Sequence, residues 1–252
     1  MSRTSVYTAL ILRNRPTGES NNEVTLLTAE EGIIKATVFG GPKSKLRAHS
    51  APFNSGQVWI YRDKSKEYGK LSDFDVRFWR PGLRELYERT MAAGAVAETI
   101  LMSHGGGGEW IRALDLALET LDTLENANED LCARILVHFL WRWASILGIQ
   151  HHIDCCAVCA QENADILWFN VHEGALVCAN CLKDTAQYIH GASNKDIKLN
   201  LGCRRWLSTV EGLDSSLLYR YTMDNKSFSE AKALVCAVLT GALGKKLASW
   251  DW

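Results

Sequence analysis

Two pairs of cysteines are the feature that most constrains how this chain can fold. Two residues separate the members of each pair and eighteen separate the pairs, in the pattern Cys156-x2-Cys159 and Cys178-x2-Cys181. A tight turn within each pair can bring both sulfurs onto one ion, so two such pairs can close a tetrahedral zinc site. Between the pairs, residues 166–169 and 175–177 are β-prone runs on either side of a polar turn. We therefore predict a hairpin that carries the second pair back to the first.

Four thiolates would leave no coordination position open for water, so the expected role of the ion is structural. Cys155 adjoins Cys156 and is an alternative ligand, as are His151, His152 and His172. A redox-active dithiol or reduced core cysteines are the alternatives to a metal, but neither accounts for two matched pairs. We predict one structural Zn²⁺ ion, and its ligands are Cys156, Cys159, Cys178 and Cys181.

The first 80 residues have the pattern of an all-β domain. Short runs rich in β-branched and aromatic residues alternate with clusters of Gly, Asn, Pro and Ser. The runs are 6–13, 23–28, 32–39, 57–61 and 70–76. Five strands in so short a segment favour a small barrel of the OB type, which closes its own sheet edges.

Charge is unevenly divided along the chain. The net charge is −1, but residues 1–80 hold 13 Lys and Arg against 8 Asp and Glu, while the remainder holds 15 against 21. The segment 40–47 begins with glycines and carries three cations, and Tyr61-Arg62 is followed closely by Lys64 and Lys66. Cations beside aromatic rings suit single-stranded nucleic acid, because charge follows phosphates and rings stack on bases. The alternative is a solvated loop, since runs of charge usually are solvated.

After Pro81 the chain is expected to be helical, with apolar residues at intervals of three and four over 83–103, 109–124 and 129–147. Further helices are expected near 204–210 and 229–249. The run Gly105–Gly108 lacks the Lys-Ser/Thr of a phosphate loop and is interpreted as a connector. The predicted fold is therefore α+β and multidomain. Its parts are an OB-type barrel (1–80), the first part of a helical domain (81–150), an inserted zinc module (151–190) and the C-terminal part of the helical domain (191–252).

A search for catalytic motifs finds no H-E-x-x-H, G-x-S-x-G, Walker or dinucleotide-binding pattern, so we predict that the protein is not an enzyme. Cysteines in apolar segments, such as Cys132, Cys203 and Cys236, favour a reducing compartment. The start of the sequence leads directly into a strand-like segment, and we expect neither a secretion signal nor a membrane span. The expected location is cytoplasmic, and nucleoid-associated when the protein is on DNA.

Several segments resemble the RecO family of bacterial recombination mediator proteins, and the resemblance covers most of the chain. In the barrel they are 7–12, 26–32 and the loop 40–45 before Pro52-Phe53. The most specific block joins the helical region to the cysteines and comprises 141–149, 154–159 and 173–181, and the tail 243–249 is similar as well. Two positions depart from the family pattern, namely Ala160 where Gly is usual and Gln150-His151 where Pro often follows. Neither departure removes a predicted ligand.

The resemblance implies a DNA repair and homologous recombination mediator. Such a protein binds single- and double-stranded DNA, anneals complementary strands and helps to load the recombinase on coated single strands. The implied partners are RecR and the acidic C-terminal tail of the single-stranded-DNA-binding protein, for which Arg134 and Arg142 are the candidate anchors. The residues predicted to contact DNA are Arg13, Lys35, Lys43, Lys45, Arg47, Arg62 and Lys64. The competing hypothesis is a zinc-stapled scaffold that binds only proteins.

Overall fold

The structure is a computed structural model that describes residues 4–40, 44–62, 69–162, 164–171, 173–184 and 196–250. The chain divides into two compact units, Met1–Glu129 and Asp130–Trp252. The division into four parts stays a prediction. Among the described residues, no helix combines the length and the apolar character needed to cross a membrane.

The first unit begins with a closed five-stranded barrel. Its strands are β1 (Thr4–Thr17), β2 (Asn21–Thr28), β3 (Gly32–Val38), β4 (Ser55–Arg62) and β5 (Gly69–Phe78). They follow one another around the barrel in the order β1-β2-β3-β5-β4. The β3–β5 pair is parallel and the other pairs are antiparallel. The barrel predicted from the sequence is confirmed, and a short parallel pairing of β3 with β5, at Ala36–Gly69 and Thr37–Lys70, closes it.

Apolar side chains that alternate along the strands fill the barrel. Val58 and Ile60 of β4 and Leu71 of β5 are fully buried in this core. A short helix, α1 (Lys45–His49), follows β3, and its Leu46 packs against the same core. The segment expected to be a loop after β3 thus ends in a helix, because an apolar residue among the cations contacts the barrel interior.

Two longer helices, α2 (Tyr87–Met102) and α3 (Trp110–Leu124), complete the first unit after a 3-10 turn at Pro81–Arg84. The side chain of Arg80 is only 1% exposed. Its Nε donates to Asp122 Oδ1 on α3 at 2.6 Å, and its Nη1 donates to Phe53 O and Ser55 Oγ at 2.8 and 2.9 Å. One buried guanidinium therefore ties the barrel to α3.

Helices and a small sheet form the second unit. The helices are α4 (Glu129–Ile146), α5 (Ala179–Asp184), α6 (Leu201–Val210) and α7 (Asn225–Leu243). The strands are β6 (Ile166–Asn170), β7 (Ala175–Cys178) and β8 (Ile197–Asn200). These strands form a three-stranded sheet in the order β7-β6-β8, so the predicted hairpin β6–β7 is present. The pairing of β8 with the free edge of β6 was not predicted.

The core of the second unit contains a buried histidine. His138 of α4 is fully buried, and its Nε2 lies 2.8 Å from Val210 O at the end of α6. Its Nδ1 is buried without a hydrogen-bond partner among the described residues. Burial, assisted by the charge of Arg142, lowers the pKa of His138 to about 4. His138 is therefore neutral at neutral pH and belongs to the packed core rather than to a switch exposed to solvent.

Candidate nucleic-acid interface and metal centre

The structure brings the four paired cysteines together. The sulfur atoms of Cys156, Cys159, Cys178 and Cys181, the four-cysteine cluster, all lie within 4.8 Å of one another. A tetrahedral ion with Zn–S bonds of about 2.3 Å requires sulfurs about 3.8 Å apart. Cys159 Sγ and Cys178 Sγ are 3.8 Å apart. The cluster therefore has the ligand types and the dimensions to hold a metal ion such as Zn²⁺.

Backbone hydrogen bonds shape the loop that carries the first pair. The N–H of Cys156 donates to Gln161 O at 3.1 Å, and the N–H of Ala160 donates to Cys156 O at 2.9 Å. Ala160 has φ 57°, in the left-handed region that favours glycine. This explains why glycine suits the position, and it shows that the turn forms with alanine at a small cost in strain. Ala157 N–H then joins the loop to β7 by donating to Leu176 O at 2.8 Å.

The backbone also prepares one sulfur to be a thiolate. Cys178 N–H donates to Cys156 Sγ at 3.3 Å. Burial acts to raise the pKa of Cys156, but hydrogen bonds from the backbone of Cys159, Cys178 and Val158 outweigh it and lower the pKa to about 6. The pKa of Cys181 is raised, first by its hydrogen bond with the Cys159 side chain. A metal that binds here must therefore displace protons from part of the cluster.

The alternative ligands have other surroundings. Among the described residues, the group of His, Cys, Asp and Glu side chains close enough to share an ion is the four-cysteine cluster, without Cys155. The ring of His151 packs against Phe169 with centroids 5.3 Å apart. His172 lies outside the described residues.

Two predicted DNA contacts, Arg13 and Lys35, are neighbours on the outer face of the barrel. Arg13 of β1 and Lys35 of β3 both stand opposite Thr25 of β2. Side chains directly opposite each other on neighbouring strands lie on the same face of a sheet, so the three form one row. Thr25 between them is only 6% exposed, whereas the side chain of Lys35 is 67% exposed.

The adjacent row adds two cations that the sequence did not single out. Arg15 stands opposite Glu23, Glu23 opposite Thr37, and Thr37 opposite Lys70 across the parallel pair. We call Arg13, Arg15, Lys35 and Lys70 the basic barrel face. An acidic residue lies between these cations: Glu23 Oε1 is 3.8 Å from Lys35 Nζ. Both side chains are well exposed, so this ion pair is weak.

An aromatic ring accompanies the basic barrel face. Lys70 Nζ lies 5.6 Å from the centroid of Phe39, which is 41% exposed at the end of β3. A ring this exposed next to a cation is the combination that nucleic-acid bases and phosphates bind. Phe39 and Lys70 lie at the ends of strands that the sequence predicts, but only barrel closure brings the two residues together.

The other residues predicted to contact DNA are not part of the basic barrel face. Lys45 and Arg47 lie on α1, where Lys45 is exposed. Arg62 donates to both carboxylate oxygens of Glu31, at 3.2 and 2.6 Å, and lies over the Tyr7 ring. Its guanidinium is thus partly engaged within the barrel. Lys43 and Lys64 lie outside the described residues.

The second unit contains a pocket of about 360 Å³ beside α4. We call it the α4 pocket, and it is lined by Asp130, Ala133, Arg134, Thr222, Met223, Asn225 and Phe228. Arg134 Nη1 donates to Tyr221 O at 2.9 Å, which fixes the guanidinium at the pocket wall. The other candidate anchor, Arg142, donates to Leu213 O at 3.2 Å and is not part of this lining.

Comparison with known proteins assigns both parts of the chain to one family. The family model described as "Recombination protein O N terminal" matches residues 1–77, and "Recombination protein O C terminal" matches residues 84–251. A protein of Desulfitobacterium hafniense named DNA repair protein RecO is 26% identical over 251 residues, covering 96% of this chain and 86% of that protein.

Proteins of the same name from other organisms match shorter segments. The relative from Gloeobacter violaceus is 29% identical over 178 residues, covering 69% of this chain and 67% of that protein. The relative from Acaryochloris marina is 28% identical over 163 residues, covering 64% of this chain and 55% of that protein. The match thus spans little more than half the length of the latter. Together, these matches show that the chain belongs to the RecO family of DNA repair and recombination proteins.

Proposed function

We propose that the basic barrel face binds the phosphates of single- and double-stranded DNA. The observation that carries this proposal is the placement of four cations from three strands on the outer face of the barrel, one of which, Lys70, lies beside the exposed ring of Phe39. Cations on β1, β3 and β5 attract a polyanion, and much of the affinity for it comes from release of its counterions. Phe39 offers a surface on which a base of a single strand can stack.

Such an interface suits the annealing of complementary strands. An annealing protein must hold a strand through its backbone and leave the base edges free to pair, which Lys and Arg contacts to phosphate allow. We propose that the protein acts in this way without catalytic chemistry, and that it helps to load the recombinase on coated single strands. Family membership supports RecR and the single-stranded-DNA-binding protein as its partners.

The proposal is tested first by measuring the anisotropy of a labelled oligonucleotide with the full chain. Binding that weakens with salt and is lost when Lys35 and Lys70 are both changed to Glu is the expected result. Binding that is unaffected by these substitutions would contradict the placement of the interface. An absence of binding would favour the protein-only scaffold.

We propose that the four-cysteine cluster binds one Zn²⁺ ion in a structural role. Cys156, Cys159, Cys178 and Cys181 would supply four thiolates, which leave no position for a substrate or a reactive water. When bound, the ion contributes folding stability by linking the first loop to the β6–β7 hairpin. Metal analysis of protein purified without chelators is expected to find one zinc per chain, and the absence of metal would overturn the proposal.

We propose that the α4 pocket receives the acidic C-terminal tail of the single-stranded-DNA-binding protein. The support is the combination of a fixed cation, Arg134, with the apolar side chains of Met223 and Phe228 in the lining. A terminal carboxylate beside large apolar side chains needs such a combination. Arg142, outside this lining, is the weaker of the two candidates.

A further inference from the structure

A buried arginine of α6 closes the loop that carries the first pair of cysteines. Arg204 is 2% exposed. Its Nη1 donates to Asp154 O at 3.0 Å and, at 3.4 Å, to the carbonyls of Ile153 and Glu162. Its Nη2 donates to Ala164 O. One guanidinium therefore binds the chain just before the cysteine loop and just after it.

An arginine suits this position better than a lysine does. Its planar guanidinium presents donors in several fixed directions, whereas a lysine ammonium is a compact point charge on a flexible stem. Four carbonyl oxygens from two segments converge on it. Burial lowers the pKa of Arg204, and the charge of Asp154 opposes this effect. Among the described residues, the cation is thus held by backbone carbonyl dipoles and not by a close ion pair.

A second bond from the same helix supports the contact. Ser208, one helical turn after Arg204, donates its hydroxyl to Asp154 Oδ1 at 2.7 Å. The start of α6 is fixed independently, because Asn200 caps it by accepting the N–H of Cys203 at 2.7 Å. The helix therefore provides a rigid support for the ends of the cysteine loop.

We infer that Arg204 is a positioning residue for the metal centre and slows the release of its zinc. The inference rests on the proposed zinc site. With the ends of the loop held by Arg204, Cys156 and Cys159 stay close together even when one sulfur leaves the ion, and that sulfur rebinds before the metal escapes. Without this contact, the two cysteines would be held by the ion, by the bonds within the loop, and by the bonds from Ala157 to β7 and from Cys178 to the Cys156 sulfur.

The test is the rate at which zinc passes from the folded protein to an excess of a chromogenic chelator. Groups that orient metal ligands from outside the first coordination sphere typically change metal affinity by about 10- to 100-fold when mutated. We expect Arg204→Lys to release zinc roughly 10-fold faster than the wild type. The neighbouring Arg205 is exposed and makes none of these contacts with the loop, so Arg205→Lys is the matched control and should release zinc at the wild-type rate.

A second control separates positioning from a general loss of stability. Leu239 of α7 is fully buried in the same unit, so Leu239→Ala lowers stability while leaving the contacts of Arg204 in place. Zinc release from Leu239→Ala as fast as from Arg204→Lys would overturn the inference. Wild-type release rates in folded Arg204→Lys would also overturn it.

Two further outcomes are decisive. If Arg204→Lys does not fold, Arg204→Gln takes its place, because it removes the charge and most of the donors that hold the loop but keeps a planar amide that can donate to one carbonyl. Faster release than in the wild type then supports the inference, and unchanged release overturns it. A wild-type protein that binds no zinc would overturn the zinc proposal and this inference together, whereas a zinc-bound protein with insensitive release would overturn this inference alone.

Discussion

Arg13 on β1 and Lys35 on β3 flank the same residue, Thr25 of the strand between them. Their positions depend on an irregularity in β1. Ile11 points into the barrel core, and strict alternation would direct Arg13 inward as well, but the register shifts by one residue between Ile11 and Arg13. A one-residue shift moves the following side chains to the opposite face. The bulge therefore places Arg13 and Arg15 outside, where they join Lys35.

The salt dependence of DNA binding is expected to report the number of phosphate contacts. If each cation of the basic barrel face contacts one phosphate, the log-log slope for single strands should be about −3, at about 0.7 per contact. Changing Lys35 and Lys70 to Gln should reduce the slope by about 1.4. Titrations of a labelled oligonucleotide at several salt concentrations measure it. Arg112→Gln, on the exposed surface of α3, is the control, and an equal slope in all three proteins would contradict the assignment.

The buried His138 predicts a loss of stability at acidic pH. Its pKa is about 4 in the folded protein against 6.5 as a model value, so below pH 6.5 the unfolded chain binds a proton that the folded chain does not. The free energy of unfolding should then fall with decreasing pH between about 6.5 and 4, by at most about 1.4 kcal/mol per unit. Above pH 6.5 both states are neutral at this site and its contribution is constant.

Urea unfolding followed by the fluorescence of the buried Trp141 and Trp143 measures this dependence. The variant His138→Gln should show a flatter curve over the same pH range, even if it is less stable throughout. Carboxylates such as Asp214, whose pKa is lowered mainly by its hydrogen bond with Ser216, titrate at lower pH in both proteins. If the free energy of unfolding of the wild type and of the variant changes with pH in parallel, His138 is not the cause of the pH dependence.

Loss of one cysteine ligand is expected to affect folding more than DNA binding. Cys178→Ser removes a buried sulfur of the four-cysteine cluster, so zinc content, solubility and thermal stability should all decrease. DNA affinity per folded molecule should change little, because the basic barrel face belongs to the other unit. Cys155→Ser is the matched control, since Cys155 is outside the cluster. A Cys178→Ser protein that is metal-free and fully stable would contradict a structural role.

Substitutions of the two charged residues that line the α4 pocket, Arg134 and Asp130, are expected to have opposite effects on the binding of the acidic tail peptide. Arg134→Ala should weaken binding of the acidic tail peptide by about 10-fold, or about 1.4 kcal/mol. Asp130→Asn should strengthen binding, because it removes a negative charge from the lining. Arg142→Ala should have little effect. Calorimetry with the peptide measures these affinities, after thermal unfolding has shown that each variant is folded. If Arg134→Ala binds the peptide as tightly as the wild type does, the assignment is refuted.

The sequence predicts well those features that depend on local spacing. The two cysteine pairs and the β-prone runs between them predict the hairpin, because ligand spacing and strand period are both short-range. Runs rich in β-branched and aromatic residues, separated by clusters of Gly, Asn, Pro and Ser, likewise predict the barrel strands. The helix α1 was missed, since one leucine among cations gives little periodicity and only the barrel interior explains Leu46.

The features that escaped prediction depend on long-range pairing. Lys70 meets Phe39 only because β5 joins β3 when the barrel closes. Arg204 reaches the cysteine loop from a helix about 50 residues further along the chain. No local pattern marks either contact. The bulge in β1 also escapes prediction, because it is recognised from the pairing of β1 with β2 and not from the composition of β1 itself.

The most direct test of the central claim is the annealing of two complementary oligonucleotides, each coated beforehand with the single-stranded-DNA-binding protein. The wild type should accelerate annealing, and the variant with Lys35→Glu and Lys70→Glu should lose most of this acceleration while Arg112→Gln retains it. Acceleration that survives the double substitution would contradict the basic barrel face as the DNA interface. No acceleration by zinc-bound wild-type protein would contradict the mediator function itself.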